Sequence, residues 1–504
     1  MKKALISVSD KTNIVSFAKS LIELDYEIIS TGNTYKILVE SGLKVESVES
    51  YTGFPEMLGG RVKTLNPKIH AGILAQAGQE NELAAQDYEF IDLVCVNLYP
   101  FKETLKSTSD RDTLVENIDI GGPTMLRAAA KNFNRVTVVV DNNDFDAIIE
   151  EIKVNGETSK TTRQTLASKV FQHTASYDAL IFKTLNSWNE TPLTNQYIQS
   201  YDLKETLRYG ENPHQKAWVY QDETNQDASL LSCVQLHGKA LSYNNYNDAQ
   251  AALDIVSEFD APCVVAVKHM NPCGVSLGKN IDEAFDKTYA ADPVSIFGGI
   301  VACNGEVTKE TATKLNDIFL EIVLATSFSD EALDVLKQKK NLRLLTYIPL
   351  TKENKTQMTS YLPGGLLVQE VDSFENPNTW TLSNGHMDDA MKEDMIFAQK
   401  IVKHVKSNAI VLAKDLQTVG LGAGQMNRVG AALIACEQAG EKAKGSVLAS
   451  DAFFPMRDTV DLVAKYGVKG IVQPGGSIKD NESIEACKEH DITMTLTHRR
   501  HFKH

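Results

Sequence analysis

No run of about 18 consecutive apolar residues occurs in the chain, which excludes a membrane-spanning helix. The opening residues Met1-Lys2-Lys3-Ala4-Leu5-Ile6-Ser7-Val8-Ser9-Asp10 meet an acid too soon for a secretory signal, so the expected location is the cytoplasm. Cysteine is sparse: Cys95, Cys233, Cys263, Cys273, Cys303, Cys436 and Cys487 are odd in number, widely scattered and never spaced Cys-x-x-Cys, which fits reduced thiols better than a disulfide framework. Positive charge is in deficit, 51 Lys and Arg against 66 Asp and Glu. The resulting net charge of −15 disfavours nucleic acid or an anionic membrane as partner, so any phosphorylated ligand must be met by local basic clusters. No linear repeat is visible. With 504 residues, 42% of them hydrophobic, the chain can bury several cores, about two to four domains.

What is present is organised around residues 261–274, Ala-Pro-Cys-Val-Val-Ala-Val-Lys-His-Met-Asn-Pro-Cys-Gly. The apolar run 264–267 reads as a buried strand with Lys268 and His269 at its end, and Asn271-Pro272-Cys273-Gly274 is expected to turn. A cation and an imidazole at a strand end stand where α/β enzymes place their chemistry. Taken singly, the pair reads more readily as a surface lysine beside a hydrogen-bonded histidine. Its company changes the balance. Leu207-Arg208-Tyr209-Gly210-Glu211-Asn212-Pro213-His214-Gln215, Ser295-Ile296-Phe297-Gly298-Gly299, Gly422-Ala423-Gly424-Gln425-Met426-Asn427-Arg428 and Ser450-Asp451-Ala452-Phe453-Phe454-Pro455 each join Gly or Pro to polar or aromatic groups, as ligand-holding loops do.

In the N-terminal third, residues 4–8 read as a strand, and Ser9-Asp10 are expected to cap a helix whose apolar positions Ile14, Phe17, Ala18, Leu21 and Ile22 recur at helical spacing. A second strand over 27–30, the turn Thr31-Gly32-Asn33-Thr34 and a helix ending at Gly42 complete a βαβα pattern, hence a parallel sheet. Hydroxyls at Ser7, Ser9, Thr31 and Thr34 suit phosphate binding at helix N-termini, or serve as plain caps. Residues 53–65 add Gly59-Gly60 and the charged pair Arg61 and Lys63, which would face one way if extended. The strand 94–101 carries Asn97 and Tyr99 into polar ground. Ile118-Asp119-Ile120-Gly121-Gly122-Pro123 leads into a helix over 124–131 that closes on Lys131, where a lysine also simply complements the helix dipole. Residues 143–183 are mostly helical, and the polar, Pro-containing stretch 186–199 reads as a linker. Beyond it, 409–413, 418–422 and 446–450 read as strands separated by helical stretches.

These motifs, in this order from Ser7 to His504, resemble the bifunctional purine-biosynthesis family that joins AICAR transformylase to IMP cyclohydrolase. The resemblance implies an α/β chain: a methylglyoxal-synthase-like parallel-sheet domain over 1–198, then a transformylase region of two cytidine-deaminase-like lobes, 199–365 and 366–504. It implies formyl transfer from 10-formyltetrahydrofolate, as co-substrate, to AICAR, giving FAICAR, and then dehydrative closure to IMP. For the transfer it assigns catalysis to Lys268, His269 and Asn408, with Arg208, Tyr209, Arg428, Phe453 (through its backbone) and Arg500 lining the nucleotide pocket. For the closure it assigns catalysis to Lys63, Tyr99, Asp119 and Lys131, and binding to Ser9, Thr31, Arg61, Thr64 and Gly121. A homodimer acting on these small molecules is implied as well. Asn66 stands where many members have His, and Asn33 where many have Gly.

The deaminase-like lobes invite a rival reading, tested on residues. A zinc deaminase needs His-x-Glu and Pro-Cys-x-x-Cys, yet three residues after Cys273 and Cys263 stand Ser276 and Ala266, so no catalytic metal is expected. Two further readings stay open on the sequence: a ligand-sensing N-terminal module without catalysis, against which Lys63, Asp119 and Lys131 together argue, and a folate-dependent transferase for another ribotide.

Overall fold

The computed structural model describes residues 1–222, 224, 229–349 and 357–504. The chain divides into two compact units, Met1–Asp202 with Asp222 and Thr224, and Leu203–Gln221 with the described residues beyond 228. No described helix is long and apolar enough to cross a membrane.

In the first unit, β1 (Lys2–Ser7), β2 (Tyr26–Ser30), β3 (Val45–Ser47), β4 (Leu93–Val96) and β5 (Thr137–Val139) form an all-parallel sheet in the order β3-β2-β1-β4-β5. Parallel neighbours need crossover connections, which the intervening helices supply. Because helices cover both faces, the strands are apolar throughout: Ala4, Leu5 and Ile6 of β1 and Leu93, Val94 and Cys95 of β4 are all buried. Helices Ile14–Glu23 and Phe145–Asn155 meet through Phe17 stacked on Phe145, ring centroids 4.0 Å apart. Ser9 and Asp10 do not cap the first helix. Its N-cap is Asn13, because Asp10 Oδ1 is taken by the N–H (2.9 Å) and hydroxyl (2.7 Å) of Thr12, and the N–H groups of Ser9 and Asp10 both turn to Asn97 Oδ1. The strand order reverses between β1 and β4, so the crevice at their carboxyl ends is where a ligand of such a sheet sits.

The second unit begins with the hairpin β6 (Asp202–Leu207) and β7 (Ala217–Gln221). The next six strands are β8 (Val234–His237), β9 (Cys263–Lys268), β10 (Asn271–Leu277), β11 (Ile300–Val307), β12 (Ile322–Phe328) and β13 (Arg343–Thr346). A separate hairpin, β14 (Gln357–Leu362) and β15 (Gly365–Glu370), turns at Pro363–Gly364. It is followed by β16 (Thr381–Asn384), β17 (Ile410–Lys414), β18 (Gln417–Gly422), β19 (Val447–Ser450), β20 (Gly470–Gln473) and β21 (Thr493–Leu496). Twelve of these make one mixed sheet, β16-β21-β20-β19-β17-β18-β10-β9-β11-β12-β13-β8.

That sheet holds an internal repeat which the linear sequence hides. From the centre outward, β10-β9-β11-β12-β13-β8 and β18-β17-β19-β20-β21-β16 follow one plan: an antiparallel hairpin, an antiparallel neighbour, two parallel steps and an antiparallel edge. The halves meet where β10 pairs with β18, Ser276 opposite Gln417. Asn304, just past the β11 residues that pair with β9, accepts the Cys263 N–H (2.7 Å), and Asp451, just past β19, accepts the Ala409 N–H (3.1 Å).

Two expectations are corrected here. Residues 271–274 are not a turn but the start of β10, with a bulge between Pro272 and Gly274 that spares the ladder the N–H proline lacks. A Cβ on Gly274 would lie 2.5 Å from Thr288 O, so this glycine admits a helix and does not bend the chain. Likewise β17 and β18 are joined by a two-residue turn and no helix.

Candidate active sites

The first candidate site gathers at the carboxyl ends of β1, β2 and β4. Asn97, just past β4, accepts the Ser9 N–H at 2.6 Å and the Asp10 N–H at 3.0 Å, so both sides of the switch point are tied together. Thr34 clasps Val8 through both its N–H (3.1 Å) and its carbonyl (2.9 Å). Thr31 is the extended N-cap of helix Gly32–Glu40, yet its side chain makes no capping bond, which leaves the first-turn N–H groups open to an anion. Lys63 Nζ lies 3.8 Å from where a Cβ on Gly32 would stand, so an ammonium accompanies that helix end. The same Nζ is 3.0 Å from Glu56. Arg61 is exposed and pairs with Glu116, and the two cations are not aligned on an extended strand as their spacing suggests.

Thr64 is buried, and a Cβ on Gly121 would come within 2.7 Å of its Oγ1; only glycine lets this loop and the helix Gly121–Lys131 close together. Asp119 precedes that helix. It accepts the Gly122 N–H at 2.8 Å and the Tyr99 N–H at 3.4 Å, and its own N–H donates to the Tyr177 hydroxyl at 2.8 Å. Burial raises its carboxyl above the usual range, only partly offset by those N–H groups, so it is suited to carry a proton. Lys131 stands exposed at the far end of the same helix, about 15 Å along its axis at ~1.5 Å per residue, and is not brought to Asp119. A cavity of about 990 Å³ opens beside Ser9, Asn97 and Tyr99 and is bounded opposite by Lys169, His173 and Tyr177. Its volume lies at the upper end of the ~300–1,000 Å³ usual for small-molecule sites.

The second candidate site forms at one end of the twelve-stranded sheet, where the two halves of the repeat meet. The halves pair at Ser276 opposite Gln417, and Gly422 at the end of β18 faces Ile410 at the start of β17. The Lys268–His269 corner lies beside the residues that enter β17 and leave β18. A direct contact supports this: Asn271 Oδ1 accepts the Lys406 N–H at 3.2 Å, while Asn271 Nδ2 donates to His269 O at 3.1 Å. Lys268 Nζ donates to Phe297 O at 2.7 Å, which recruits the Ser-Ile-Phe-Gly-Gly loop to the corner. His269 is exposed, and both it and Met270 are left-handed (φ 53° and 62°), a backbone that costs non-glycine residues about 1–2 kcal/mol each.

Asn408, two residues past Lys406, has its amide fixed at both ends. Its Nδ2 donates to Gln425 O (2.8 Å) and its Oδ1 accepts from Arg428 Nη2 (2.9 Å). Arg428 is only 5% exposed: its Nη1 donates to Ala409 O (3.0 Å) and to the fully buried Asp451. Asp451 also receives the Ser407 hydroxyl (2.5 Å), and its carbonyl accepts the His501 N–H (2.8 Å). Ser407 and Lys503 exchange backbone bonds with each other's Oγ and carbonyl, so the C-terminal tail is sewn to the segment that carries Asn408. His501 is buried between Asp372 (2.7 Å) and Glu375 (2.9 Å); burial alone would lower its pKa, but these carboxylates outweigh it and raise it to about 9. Phe453, just past Asp451, and Arg500, beside His501, are exposed at the same rim, with the Arg500 guanidinium 4.8 Å from the Phe502 ring. Arg208 stacks on Tyr209 (5.4 Å) in the loop after β6, where Glu211 O accepts from Asn244 at the start of helix Tyr243–Val256 (3.3 Å).

Lys268, His269, Asn408, Arg428, Phe453 and Arg500 thus share one sheet end, although they come from distant parts of the chain. Asp248, Asn271 and Asp451 went without a role in the sequence reading. Asn271 and Asp451 lay within stretches singled out there, and nothing local marks Asp248.

A family model described as the AICARFT/IMPCHase bienzyme matches residues 129–438, and one described as an MGS-like domain matches residues 13–124. The chain belongs to the AICARFT/IMPCHase bienzyme family. Among its relatives, the bifunctional purine biosynthesis protein PurH of Listeria monocytogenes serotype 4b is 55% identical over 510 residues, covering all of both chains. The proteins of that name from Halalkalibacterium halodurans and Bacillus subtilis strain 168 are 55% and 54% identical over 511 residues, again covering all of both chains. The MGS-like match spans β2, β3 and β4 of the parallel sheet of the first unit.

Proposed function

We propose that the sheet-end site of the second unit transfers the formyl group and that the switch-point site of the first unit closes the ring. As a member of the bienzyme family the chain is a bifunctional enzyme of purine biosynthesis, an AICAR transformylase and IMP cyclohydrolase. The residues that carry each step are our assignment. The observation that supports it best is the contact across the repeat, where Asn271, beside the Lys268–His269 corner, holds the N–H of Lys406, two residues before Asn408.

The formyl donor is read as 10-formyltetrahydrofolate. The AICAR amine is a weak nucleophile because its lone pair is shared with the imidazole ring and carboxamide. As its nitrogen attacks the formyl carbon, a C–N bond forms and His269 takes an amine proton; imidazole, with an ordinary pKa near ~6.5, is suited to this at neutral pH. The oxyanion is stabilised by the Lys268 ammonium, and Asn408, held by Gln425 and Arg428, orients the formyl group. Collapse breaks the bond to N10, which takes up a proton to leave tetrahydrofolate. Arg208, Tyr209, Phe453 and Arg500 line the nucleotide pocket.

For closure, the FAICAR carboxamide nitrogen attacks the formyl carbon and water leaves. Thr31, the open helix N-terminus, Lys63 and Arg61 are assigned to the phosphate. Asp119, its carboxyl raised by burial, is assigned to proton transfer with Tyr99 and Lys131 as further candidates, and Ser9, Thr64 and Gly121 to binding. Residues 1–198 are taken as the cyclohydrolase domain, and 199–365 and 366–504 as the transformylase lobes. The enzyme is taken as a cytoplasmic homodimer without a catalytic metal. The isolated hairpin β14–β15, which exposes Tyr361 and Leu367 and would be marginal alone, suits cover by a second copy.

The test is to incubate the purified protein with AICAR and 10-formyltetrahydrofolate. Formation of IMP through FAICAR is expected; formyl transfer to another ribotide in preference to AICAR would overturn the substrate assignment.

A further inference from the structure

Two hairpins of the twelve-stranded sheet share a device. β9 and β10 are joined by His269 and Met270 (φ 53° and 62°), and β17 and β18 by Asp415 and Leu416 (φ 53° and 55°). Lys268 pairs directly with Asn271 and Lys414 with Gln417, so each loop is two residues long. Loops of this kind with both residues left-handed normally use Asn-Gly or Asp-Gly, since other side chains resist that backbone. Neither loop contains glycine. Each is held instead by one carboxylate, on the sixth residue of the 14-residue helix that precedes the hairpin. Asp248 accepts the Met270 N–H at 2.7 Å; Asp394 accepts the Leu416 N–H at 2.7 Å and the Asp415 N–H at 3.0 Å.

The halves differ in what the carboxylate faces. Asp394 faces the apex carboxylate of Asp415, a like charge. Burial pushes the Asp248 carboxyl up, offset in part first by the Met270 N–H it accepts and then by the nearby apex imidazole of His269. Lys268 precedes His269 on its own strand, Lys406 donates its backbone N–H to Asn271, and Glu211 lies against the start of the Asp248 helix through Asn244.

We propose that Asp248 is a positioning residue for formyl transfer: it holds His269 at the left-handed apex of the hairpin and sets a carboxylate against the imidazole, stabilising the cation that forms when the ring takes the amine proton. This role rests on His269 being the base. Asp248 exchanges no proton and makes no bond to substrate; the bonds made and broken are those of the formyl transfer itself.

The repeat supplies its own control. Asp248→Asn keeps an acceptor for the Met270 N–H and removes only the charge. In the full-length enzyme it should lower kcat for formyl transfer about tenfold, with the KM for AICAR little changed. The acid limb of its kcat against pH should move to lower pH, since an imidazole without a facing carboxylate loses its proton more easily. Asp394→Asn makes the same change at the equivalent hairpin and should leave formyl transfer and its pH profile as in the parent. A normal kcat and an unmoved acid limb in Asp248→Asn would overturn the proposal. So would equal losses of activity in both variants that track their thermal stability, because that is a structural role alone. His269→Ala, measured alongside, separates the failures: if it retains formyl transfer, the base assignment falls and this role with it, whereas an inert His269→Ala beside an unaffected Asp248→Asn removes only the role of Asp248.

Discussion

Removal of the Asp451 carboxylate should damage the transformylase site and the stability of its unit together. Asp451 is fully buried and its partner Arg428 nearly so, and it also holds the Ser407 hydroxyl and the Ala409 N–H. Asp451→Ala therefore strands a buried guanidinium, and loss of one partner of such a pair typically costs about 3–5 kcal/mol. The orphaned Ala409 N–H adds to this, since an unsatisfied buried donor costs about 1–3 kcal/mol before the surroundings relax. The expected loss is thus in the upper half of the first range, a large share of the ~5–15 kcal/mol that holds a domain folded. Asp451→Asn keeps an acceptor and should lose less. Trp380, whose indole N–H bonds Glu375 at 3.0 Å, reports this region, so urea unfolding followed by its fluorescence measures the loss. At temperatures where the variant remains folded, formyl transfer should still fall, because Arg428 would no longer be held where it orients Asn408, while FAICAR closure is unaffected. A stability change under about 1 kcal/mol together with parental formyl transfer would refute the view that Asp451 organises the site.

Other consequences can be measured separately. His501, raised from an ordinary value near ~6.5 to about 9, contributes stability that is fully present below pH ~6.5 and is lost as pH rises through about 9. Unfolding midpoints should therefore decline over that window, and His501→Gln should flatten the decline; a pH-independent midpoint between those limits would contradict the buried ion pairs. Gly121→Ala places a methyl about 2.7 Å from Thr64 Oγ1 and should cut FAICAR closure while leaving formyl transfer intact, checked by assaying each half-reaction with supplied substrate. A fragment of residues 1–198 should close FAICAR on its own; a folded but inert fragment would contradict the assignment of that chemistry to the first unit. Mixing Lys268→Ala with Arg500→Ala protein should restore some formyl transfer if the two groups act from different copies, and verified mixed dimers without rescue would place both in one chain.

The strands were legible where the chain is most apolar. The run at 264–267 lies inside β9 and that at 409–413 falls on β17 but for its first residue, and the βα alternation near the N-terminus did become a parallel sheet, because buried strands between helices must be apolar on both faces. Turns were less legible. Asn271-Pro272-Cys273-Gly274 has the composition of a turn but runs as a strand, while the actual corner, His269-Met270, lacks turn residues and is held by Asp248 from a different element. Tertiary contact there overrides local preference. The repeat was invisible because little side-chain identity survives between the halves; Asn304 and Asp451 do corresponding work with different residues. Lys268, His269, Asn408, Arg428, Phe453 and Arg500 share one sheet end, whereas Arg208 and Tyr209 sit in the loop after β6 and Lys131, chosen with the cyclohydrolase motifs, stands a helix length from Asp119.

The most direct test replaces His269 by Ala and measures the two half-reactions separately in a variant shown to be folded. Formyl transfer to AICAR should fall by ~10² to 10⁴ in kcat with AICAR binding little changed, while closure of supplied FAICAR to IMP proceeds at the parental rate. A well-folded His269→Ala enzyme with near-normal formyl transfer, or one in which both reactions decline in step with thermal stability, would contradict the assignment of the base.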